Sequence, residues 1–525
     1  MDVLYRNRFL APVLFIFALV LRCYRLSEIP AGLFQDEAMA AYQAFSLLYY
    51  GVDSWGYAYP MYFIAWGSGM NAGYSYLLML FLGLFGRGIL TVRLPQCFLG
   101  LMSLVVFYLL LKKIYNRKVA LWGLFLATIC PWHVMLSRFA LESNLAPAFL
   151  LFGFYFYCLS VEGKNSYLYL SVLCYGLALY TYATCWVFLF FVLPVLFIYR
   201  FWHKREWRMR KYIFGTFCLF ILLAFPVGLF LLVNCGIISE IKTAWFSVPK
   251  MVYWRGNEIG NENMILKAGM LWNVLVKQDD FLIWNRIPPF GLFYAGAPLL
   301  VLLGLYLSVK QVIKDFGEGQ FSYSFCIVWQ VVVGLIVASF MYVCINRINF
   351  LWFPLLICLT IGVEMLARKK VFFVCLVLFY IISAMFFIVY YFTKYNNVSS
   401  KFFSDGLLQV LEKTEELREC LGTEVVFVGH PDNYPKVLFY TETNVYYFLS
   451  TVKWQNYPTA YIYPHSFGHY YFVDDLPDVL DVSKIYIAPR KDKYFFYQFE
   501  ITELGNYVLA VPKGYMDECV TDFEI

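Results

Sequence analysis

Long apolar runs separated by short polar segments make up the first three quarters of this chain. The runs carry almost no charged residues, and most are long enough for a membrane-spanning helix. They lie at residues 9–21, 93–111, 119–136, 145–161, 166–181, 183–200, 212–234, 291–309, 322–344, 349–367 and 371–393. The pattern predicts an all-α polytopic membrane bundle of about eleven transmembrane helices.

The first run needs separate treatment because it is short. Only thirteen residues, Phe9 to Leu21, lie between Arg8 and Arg22, which is the length of a signal-peptide core. No small-x-small cleavage site follows, and apolar residues resume as far as Leu26. We therefore predict an uncleaved first helix, with Arg22 and Arg25 snorkelling to the outer interface.

The short basic loops predict the orientation in the membrane. The sequences "KKIYNRK", "HKREWRMRK", "KQVIKDFGEGQ" and "RKK" all fall on one side if the N-terminus is cytoplasmic, as the positive-inside rule requires. Segments 27–92 and 235–290 and everything after 394 then face outward. We expect a multi-pass protein of a bacterial plasma membrane, with an extracytoplasmic C-terminal domain.

The hydropathy pattern changes at residue 394, where a C-terminal segment, called the tail below, begins. "EVVFVG", "VYYFLS" and "KIYIAP" read as short strands, and "SDGLLQVLEKTEELRECLG" reads as an amphipathic helix closed by Gly422. We predict two domains, a membrane domain at 1–393 and a small α/β domain at 394–525. The tail holds only Cys420 and Cys519, which either pair in an oxidising compartment or remain free thiols.

Composition supports membrane insertion and narrows the function. The 525 residues are 61% hydrophobic and 14% charged, whereas soluble domains are about 45–50% apolar and about 25% charged. The net charge of +6 lies mostly in short loops, so it does not indicate nucleic-acid binding. No phosphate-binding GxxxxGK[ST] loop, HExxH motif or GxSxG nucleophile elbow occurs.

The adjacent carboxylates Asp36 and Glu37 are the first candidates for chemistry. An isolated "DE" in an outer loop is most simply a hydrated turn. Here the neighbours are apolar or small ("AGLFQ" before, "AMAAY" after), and residues 51–86 are aromatic and glycine-rich, which is typical of helices lying on a membrane surface. A carboxylate held there has its pKa raised by desolvation, which suits a general base.

Two further segments offer cations. In "PWHVMLSRFALESN", Arg138 and Glu142 are four residues apart and share a face if the segment is helical. They form either a mutual ion pair or a phosphate site, to which His133 could add a hydrogen bond. Arg347, in "CINRINFLWFP", has no acidic residue near it in sequence, so it is either a functional cation or a snorkelling one.

These residues together resemble a known superfamily. An uncleaved first helix, the "DE" pair, aromatic segments ending in "LFG", and "RLPQCFLGLMSL" entering the next span are similar to the GT-C polyprenyl-phosphate-sugar glycosyltransferases. Within that superfamily, the sequence resembles the protein O-mannosyltransferases and the bacterial lipid A aminoarabinose transferase. "SRFALE" is similar to a mannosyltransferase stretch that has aspartate in place of Glu142, so the reach of that carboxylate differs.

The resemblance implies an inverting transfer from a polyprenyl-phosphate sugar to a hydroxyl of a protein, glycan or lipid acceptor on the outer face. It implies catalytic Asp36, as the base, with Glu37 assisting. Phosphate-binding roles fall to three residues: Arg138, Arg347 and His133. Acceptor or sugar contacts fall to five others: Glu142, Trp55, Tyr57, Tyr59 and Trp66. We predict no metal site, although too few oxygen ligands are visible to decide whether Asp36 and Glu37 bind a divalent cation.

Two other functions remain open at the level of sequence. A transporter or flippase of lipid-linked sugars would carry charged residues along a path through the membrane, and the apolar runs contain almost none. A non-catalytic scaffold that displays the tail would need no carboxylate at position 36. Replacing Asp36 by asparagine and measuring sugar transfer discriminates between these hypotheses and the enzyme.

Overall fold

A computed structural model describes residues 8–66, 69–203, 207–253, 263–429, 431–459 and 461–514. Most of these residues are helical. The helices are α1 Leu10–Cys23, α2 Gln35–Tyr50, α3 Gly73–Phe85, α4 Ile89–Ile114, α5 Arg117–Ile129, α6 Pro131–Leu136, α7 Ala146–Glu162, α8 Tyr167–Ala178, α9 Thr184–His203, α10 Trp207–Asn234, α11 Met264–Trp272, α12 Ala297–Gly317, α13 Tyr323–Ser339, α14 Trp352–Leu366, α15 Lys370–Thr393, α16 Tyr395–Phe403, α17 Leu407–Leu421, α18 Tyr434–Tyr440 and α19 Val445–Thr451.

Each apolar run found in the sequence overlaps one helix or, at 119–136, two. Among the described residues, seven helical segments are long and apolar enough to cross a membrane, and the shorter apolar helices α1, α3, α8 and α13 fall below that length. Run 119–136 is divided between α5 and α6, because Pro131 begins a new helix. The protein is thus a multi-pass membrane protein, but the predicted count of eleven spans is not confirmed.

Backbone contacts divide the chain into two compact units. The helical unit comprises Met1–Tyr24, Arg93–Leu229 and Arg255–Thr393, and the mixed unit comprises Arg25–Val92, Phe230–Trp254 and Lys394–Ile525. This division differs from the predicted boundary at residue 393, because the first long outer segment clusters with the tail.

Glycine allows a close helix crossing within the helical unit. A Cβ at Gly304 of α12 would lie 1.7 Å from the carbonyl oxygen of Cys358 in α14, and a Cβ at Gly362 would lie 2.1 Å from the carbonyl oxygen of Leu300. Since apolar helices gain little from hydrophobicity inside lipid, such backbone approach is a main source of their attraction. These two glycines therefore hold α12 against α14.

A seven-stranded sheet organises the tail within the mixed unit. Its strands are β5 Val425–Val428, β6 Lys453–Trp454, β7 Pro464–Phe467, β8 Tyr470–Val473, β9 Ile485–Pro489, β10 Phe499–Leu504 and β11 Tyr507–Pro512. Two separate pairs of short strands come earlier in the chain: β1 Tyr62–Phe63 with β2 Met70–Asn71, and β3 Ile241–Lys242 with β4 Ser247–Val248. The order is β10-β11-β9-β5-β8-β7-β6.

Strand β5 is parallel to β8 and β9, and the remaining pairs are antiparallel. All four of its residues are buried, as expected of a central parallel strand. The α/β tail is thus present, and Gly422 closes α17 with a φ of 63°, a left-handed conformation that glycine adopts without strain.

Two local predictions were wrong. "VYYFLS" forms helix α19 rather than a strand, because the Asn444 side chain accepts hydrogen bonds from the backbone N–H groups of Tyr446 and Tyr447 and so caps a helix. Arg22 does not snorkel, since it is fully buried. Cys420 is disulfide-bonded, and Cys519 lies outside the described residues.

Candidate functional site

The acidic pair lies in the first turn of α2, in the mixed unit. Glu37 is fully buried, and its Oε2 accepts the backbone N–H of Phe34 at 2.9 Å. Phe34 precedes the helix and has no side-chain oxygen of its own, so the reach of Glu37 back to that N–H is one half of a capping box. Both carboxylates also benefit from the positive end of the helix dipole. Glu37 thus has a structural task that the sequence reading did not consider.

Asp36 differs from its neighbour in being half-buried. Its Oδ1 accepts the indole N–H of Trp66 at 3.2 Å. The backbone of Trp66 has a φ of 54°, a left-handed conformation that is uncommon for a bulky residue and is often found at functional sites. The structure therefore brings together two of the predicted site residues, Asp36 and Trp66.

A lysine from the tail completes the surroundings of the pair. Lys436 in α18 is 3% exposed, and its Nζ donates to Ser404 Oγ at 2.7 Å and to Asn433 Oδ1 at 2.8 Å. Burial lowers the pKa of Lys436 to about 8, against the opposing effect of Asp432, Glu37 and Asp36. Lys436 was missed in the sequence, where its one signal is an isolated charge in the otherwise apolar stretch "YPKVLFY".

The other predicted aromatic residues are placed separately. Trp55 stacks on Trp454 of the tail, with centroids 4.8 Å apart and rings 1° from parallel. Tyr57 is buried, donates to Glu240 Oε2 at 2.9 Å, and has the Lys242 ammonium 4.3 Å from its ring centroid. Tyr59 is 37% exposed. A sugar-binding role for these rings stays a prediction.

A further carboxylate in the mixed unit was not singled out from the sequence. Asp53 is fully buried, and its Oδ1 accepts the backbone N–H groups of Trp55 and Tyr57 at 2.9 and 2.8 Å. Burial raises the pKa of Asp53 to about 7, although these hydrogen bonds and Lys242 oppose the shift. This local turn fixes the loop that carries the aromatic residues.

In the helical unit, His133 has partners on both ring nitrogens. Arg22 Nη2 lies 2.9 Å from His133 Nδ1, and Ser103 Oγ lies 2.9 Å from Nε2. Because a guanidinium only donates, Nδ1 must accept, and the Nε2 proton points to Ser103. His133 therefore orients Arg22, and its predicted phosphate role stays a prediction.

Arg138 is fully buried at the end of α1. Its Nη1 donates to the carbonyls of Leu21 and Arg22 at 3.2 and 2.9 Å, and its Nε donates to the Tyr391 hydroxyl at 3.2 Å. A cation bonded to the last carbonyls of a helix compensates their unsatisfied charge. The structure thus gives Arg138 a helix-capping task.

The helical face predicted for Arg138 and Glu142 is absent. Helix α6 ends at Leu136 and a 3₁₀ turn begins only at Glu142, so the spacing of four does not place the two side chains on one helix face. The segment from Arg138 to Glu142 is not helical, because the helix that Pro131 begins ends before Arg138. Glu142 is half-buried at the start of that turn.

Arg347 lies on a segment that contacts this turn. Asn349 Nδ2 donates to the Ser143 carbonyl and to Asn144 Oδ1, each at 3.0 Å. Arg347 itself is half-buried, and its Nη1 donates to the Tyr342 carbonyl at 3.2 Å. The structure thus brings the segments that carry Glu142 and Arg347 together within the helical unit.

Segment 278–285 contacts the Arg347 segment through the buried carboxylate of Asp280. Asp280 Oδ2 accepts the backbone N–H of Ile345 at 2.9 Å and the side-chain N–H of Asn285 at 2.6 Å, and Asn285 also donates to Asn346. Burial raises the pKa of Asp280 in spite of these bonds. Asparagines from three segments line part of a small, mainly apolar cavity of about 10 Å³, which is room for one water molecule.

No group of three or more His, Cys, Asp or Glu side chains able to hold a metal ion occurs among the residues that the structure describes. The mixed unit offers a half-buried carboxylate, Asp36, with the indole donor of Trp66 and the buried Lys436 near it. The helical unit offers a half-buried arginine, Arg347, beside asparagine amides.

Comparison with known proteins supports the resemblance. Residues 72–230 match the family described as dolichyl-phosphate-mannose-protein mannosyltransferase. No curated protein matches the chain.

Solved structures give the fold. ArnT from Cupriavidus metallidurans in the apo state is similar over 95% of this chain and 97% of its own, with 12% identity and a TM-score of 0.53. The same protein bound to undecaprenyl phosphate is similar over 96% and 98%, with 11% identity and a TM-score of 0.50. The resemblance expected from the sequence is confirmed for the fold, which this chain shares with ArnT, and residues 72–230 match the mannosyltransferase family.

Proposed function

We propose that this protein transfers a sugar from a polyprenyl-phosphate donor to an acceptor hydroxyl at the outer face of the membrane, with inversion at the anomeric carbon. Asp36 is the base in this proposal. The observation that carries it is the division of labour in the acidic pair: Glu37 is fully buried and caps α2, whereas Asp36 is half-buried and oriented by Trp66.

The chemistry follows from this carboxylate. Asp36 takes the proton of the acceptor hydroxyl as its oxygen forms a bond to the anomeric carbon on the face opposite the phosphate. The bond between that carbon and the phosphate oxygen breaks, and polyprenyl phosphate leaves with both electrons of the bond. A base held in position typically contributes about 10²–10⁴ in rate.

The leaving phosphate needs a cation, because negative charge builds on it as the bond breaks. Of the two predicted arginines, Arg347 suits this better, since it is half-buried while Arg138 is fully buried against helix carbonyls. ArnT, which shares the fold, has been solved with undecaprenyl phosphate bound, and this supports a polyprenyl-phosphate donor here.

The mixed unit supports one further part of the proposal, the sidedness. All three of its segments, 25–92, 230–254 and 394–525, overlap segments for which the loop charges predict an outward position, namely 27–92, 235–290 and everything after 394. Segments that pack into one compact unit must lie on the same side of the membrane, which agrees with that prediction. We therefore assign the acceptor site to the outer face.

The test uses the full-length protein in proteoliposomes with undecaprenyl-phosphate mannose and undecaprenyl-phosphate aminoarabinose as donors. Envelope glycans and lipids of a deletion strain, compared by mass spectrometry with the parent, identify the acceptor to add. Asp36→Asn should lower transfer at least a hundredfold, whereas Asp475→Asn, the same change at an exposed site of the tail, should leave it unchanged. Transfer by Asp36→Asn at the wild-type rate would refute the role of the base, and retention of configuration in the product would refute inversion.

A further inference from the structure

A buried lysine in the tail requires an explanation. Lysine is almost never fully buried unless it is paired, and an ammonium taken out of water costs several kcal/mol when nothing compensates it. Lys436 is 3% exposed and sits in α18, a helix whose seven residues are all buried. Its position therefore has to be compensated by specific neighbours.

Two kinds of neighbour surround the Lys436 ammonium. Neutral oxygens of the tail fix its direction, through the bonds to Ser404 Oγ and Asn433 Oδ1. The charged groups that act on it are Asp432, one turn earlier, and Glu37 and Asp36 from the first turn of α2. The compensating charge thus comes in part from the acidic pair.

The packing of the mixed unit explains why these groups meet. Helix α18 packs against α2, and Tyr434 at the start of α18 contacts Trp66, with ring centroids 5.7 Å apart. Trp66 in turn donates to Asp36. The side chain of Phe34, next to the start of α2, contacts Phe403, which adjoins the lysine partner Ser404. The tail therefore reaches the acidic pair through an aromatic contact and through a charge.

We infer that Lys436 is a positioning residue, through which the tail keeps Asp36 in its ionised form. The inference rests on the proposed role of Asp36 as the base. It also gives the tail a task in the reaction: a base must be ionised to accept a proton, and an opposite charge nearby favours that state.

The direction of the effect is fixed by electrostatics. A cation close to a carboxylate lowers its pKa, typically by about 1–3 units. Removing the charge of Lys436 should therefore raise the pKa of Asp36, and the acid limb of the activity profile should move to higher pH. A lysine that only fills space would leave this limb where it is.

The experiment measures the protonation of Asp36 without any sugar donor. Dicyclohexylcarbodiimide reacts with protonated carboxyl groups in apolar surroundings, so the extent of Asp36 labelling against pH, read by peptide mass spectrometry on the full-length protein, gives its midpoint. The variants are Lys436→Gln and Lys436→Met, which remove the charge, and Lys436→Arg, which keeps it. Lys413→Gln is the matched control, because this lysine of the tail bonds Thr502 instead.

We expect the midpoint of Asp36 labelling to rise by about one pH unit or more in Lys436→Gln and Lys436→Met, and to stay near the wild-type value in Lys436→Arg and Lys413→Gln. Lys436→Met fills the site with an apolar side chain of similar length, and Ser404 Oγ keeps its bond to Asn433 Oδ1, so it should stay folded if the glutamine variant does not. The inference is overturned if a folded, charge-removing variant has the same midpoint as Lys413→Gln. Failure of the proposed function is a separate result, namely wild-type transfer by Asp36→Asn, and it would not alter the labelling midpoint.

Discussion

Replacing Glu37 by alanine and by glutamine separates a structural role of this carboxylate from a chemical one. Glu37 is fully buried, and its bond to the Phe34 N–H is 2.9 Å long. Glutamine keeps an oxygen that can accept this N–H, as capping boxes with glutamine do, whereas alanine removes the acceptor. The two variants therefore differ in the hydrogen bond, and both lack the charge.

The magnitude follows from the buried bond. Losing a helix cap costs about 0.5–2 kcal/mol, and a buried hydrogen bond to a charged group contributes about 1.5–3 kcal/mol. We expect Glu37→Ala to lower the free energy of unfolding by about 2 kcal/mol, which for a cooperative unit of roughly 200 residues is about 5 °C in Tm. Glu37→Gln should lose less than half of this, because it keeps the acceptor.

The assay follows tryptophan fluorescence on heating of the purified protein, together with sugar transfer at a temperature where every variant is folded. If Glu37 only caps α2, transfer by Glu37→Gln should stay within about threefold of wild type, a difference of less than 1 kcal/mol in the barrier. The reasoning is refuted if Glu37→Gln is as stable as wild type and yet loses as much activity as Asp36→Asn. That result would make the charge of Glu37 part of the chemistry.

Three other outcomes follow from the structure. Trp66→Phe keeps the ring beside Tyr434 but removes the donor to Asp36 Oδ1, so transfer in the proteoliposome assay should fall about ten- to a hundredfold, as expected for one lost hydrogen bond to a charged group. Gly304→Ala should destabilise the protein by about 1–3 kcal/mol in thermal unfolding, because its Cβ would meet the Cys358 carbonyl, whereas Gly228→Ala in α10, where nothing lies within 4 Å, should not. Burial disfavours the charge of Glu415, but bonds from His469 and Tyr470 and the charge of Arg418 outweigh it and lower its pKa to about 2. Its stabilisation is thus present above about pH 4.5 and is lost as the pH falls toward 2, and Glu415→Gln should flatten that part of an acid titration followed by circular dichroism.

The helices of the membrane region were predictable because their signal is local. An apolar run of sufficient length can satisfy its backbone in lipid only as a helix, and most of each such run is helical in the structure. The same local logic identified β5, β9 and the Gly422 end of α17. It failed at 445–450, where β-branched and aromatic residues suggested a strand and the cap at Asn444 produced a helix instead. A cap signal outweighed strand propensity there.

The surroundings of the site were not predictable, because they depend on contacts between distant parts of the chain. Asp36 was found from the apolar context of the first outer segment, and Trp66 was singled out through the family resemblance. Lys436 and Tyr434 lie about 400 positions further along, and only folding brings them to α2. A single sequence does not show which distant residues will meet in the fold. It did show that Lys436 is an isolated lysine among apolar residues, which is unusual.

The two arginines assigned to phosphate illustrate how burial and hydrogen-bond partners separate a structural cation from a functional one. A guanidinium has five N–H donors. Arg138 uses three of them on the carbonyls of Leu21 and Arg22 and on the Tyr391 hydroxyl, and its charge lies 5.4 and 5.2 Å from the ring centroids of Tyr391 and Phe392. A phosphate would have to displace partners that close the end of α1, and those carbonyls would then be left buried without a donor. Arg347 is half-buried, and the asparagines beside it bond one another, so no buried helix end depends on its position there. The balance of these costs favours Arg347 as the cation of the proposed reaction, with Arg138 holding the helices between which it lies.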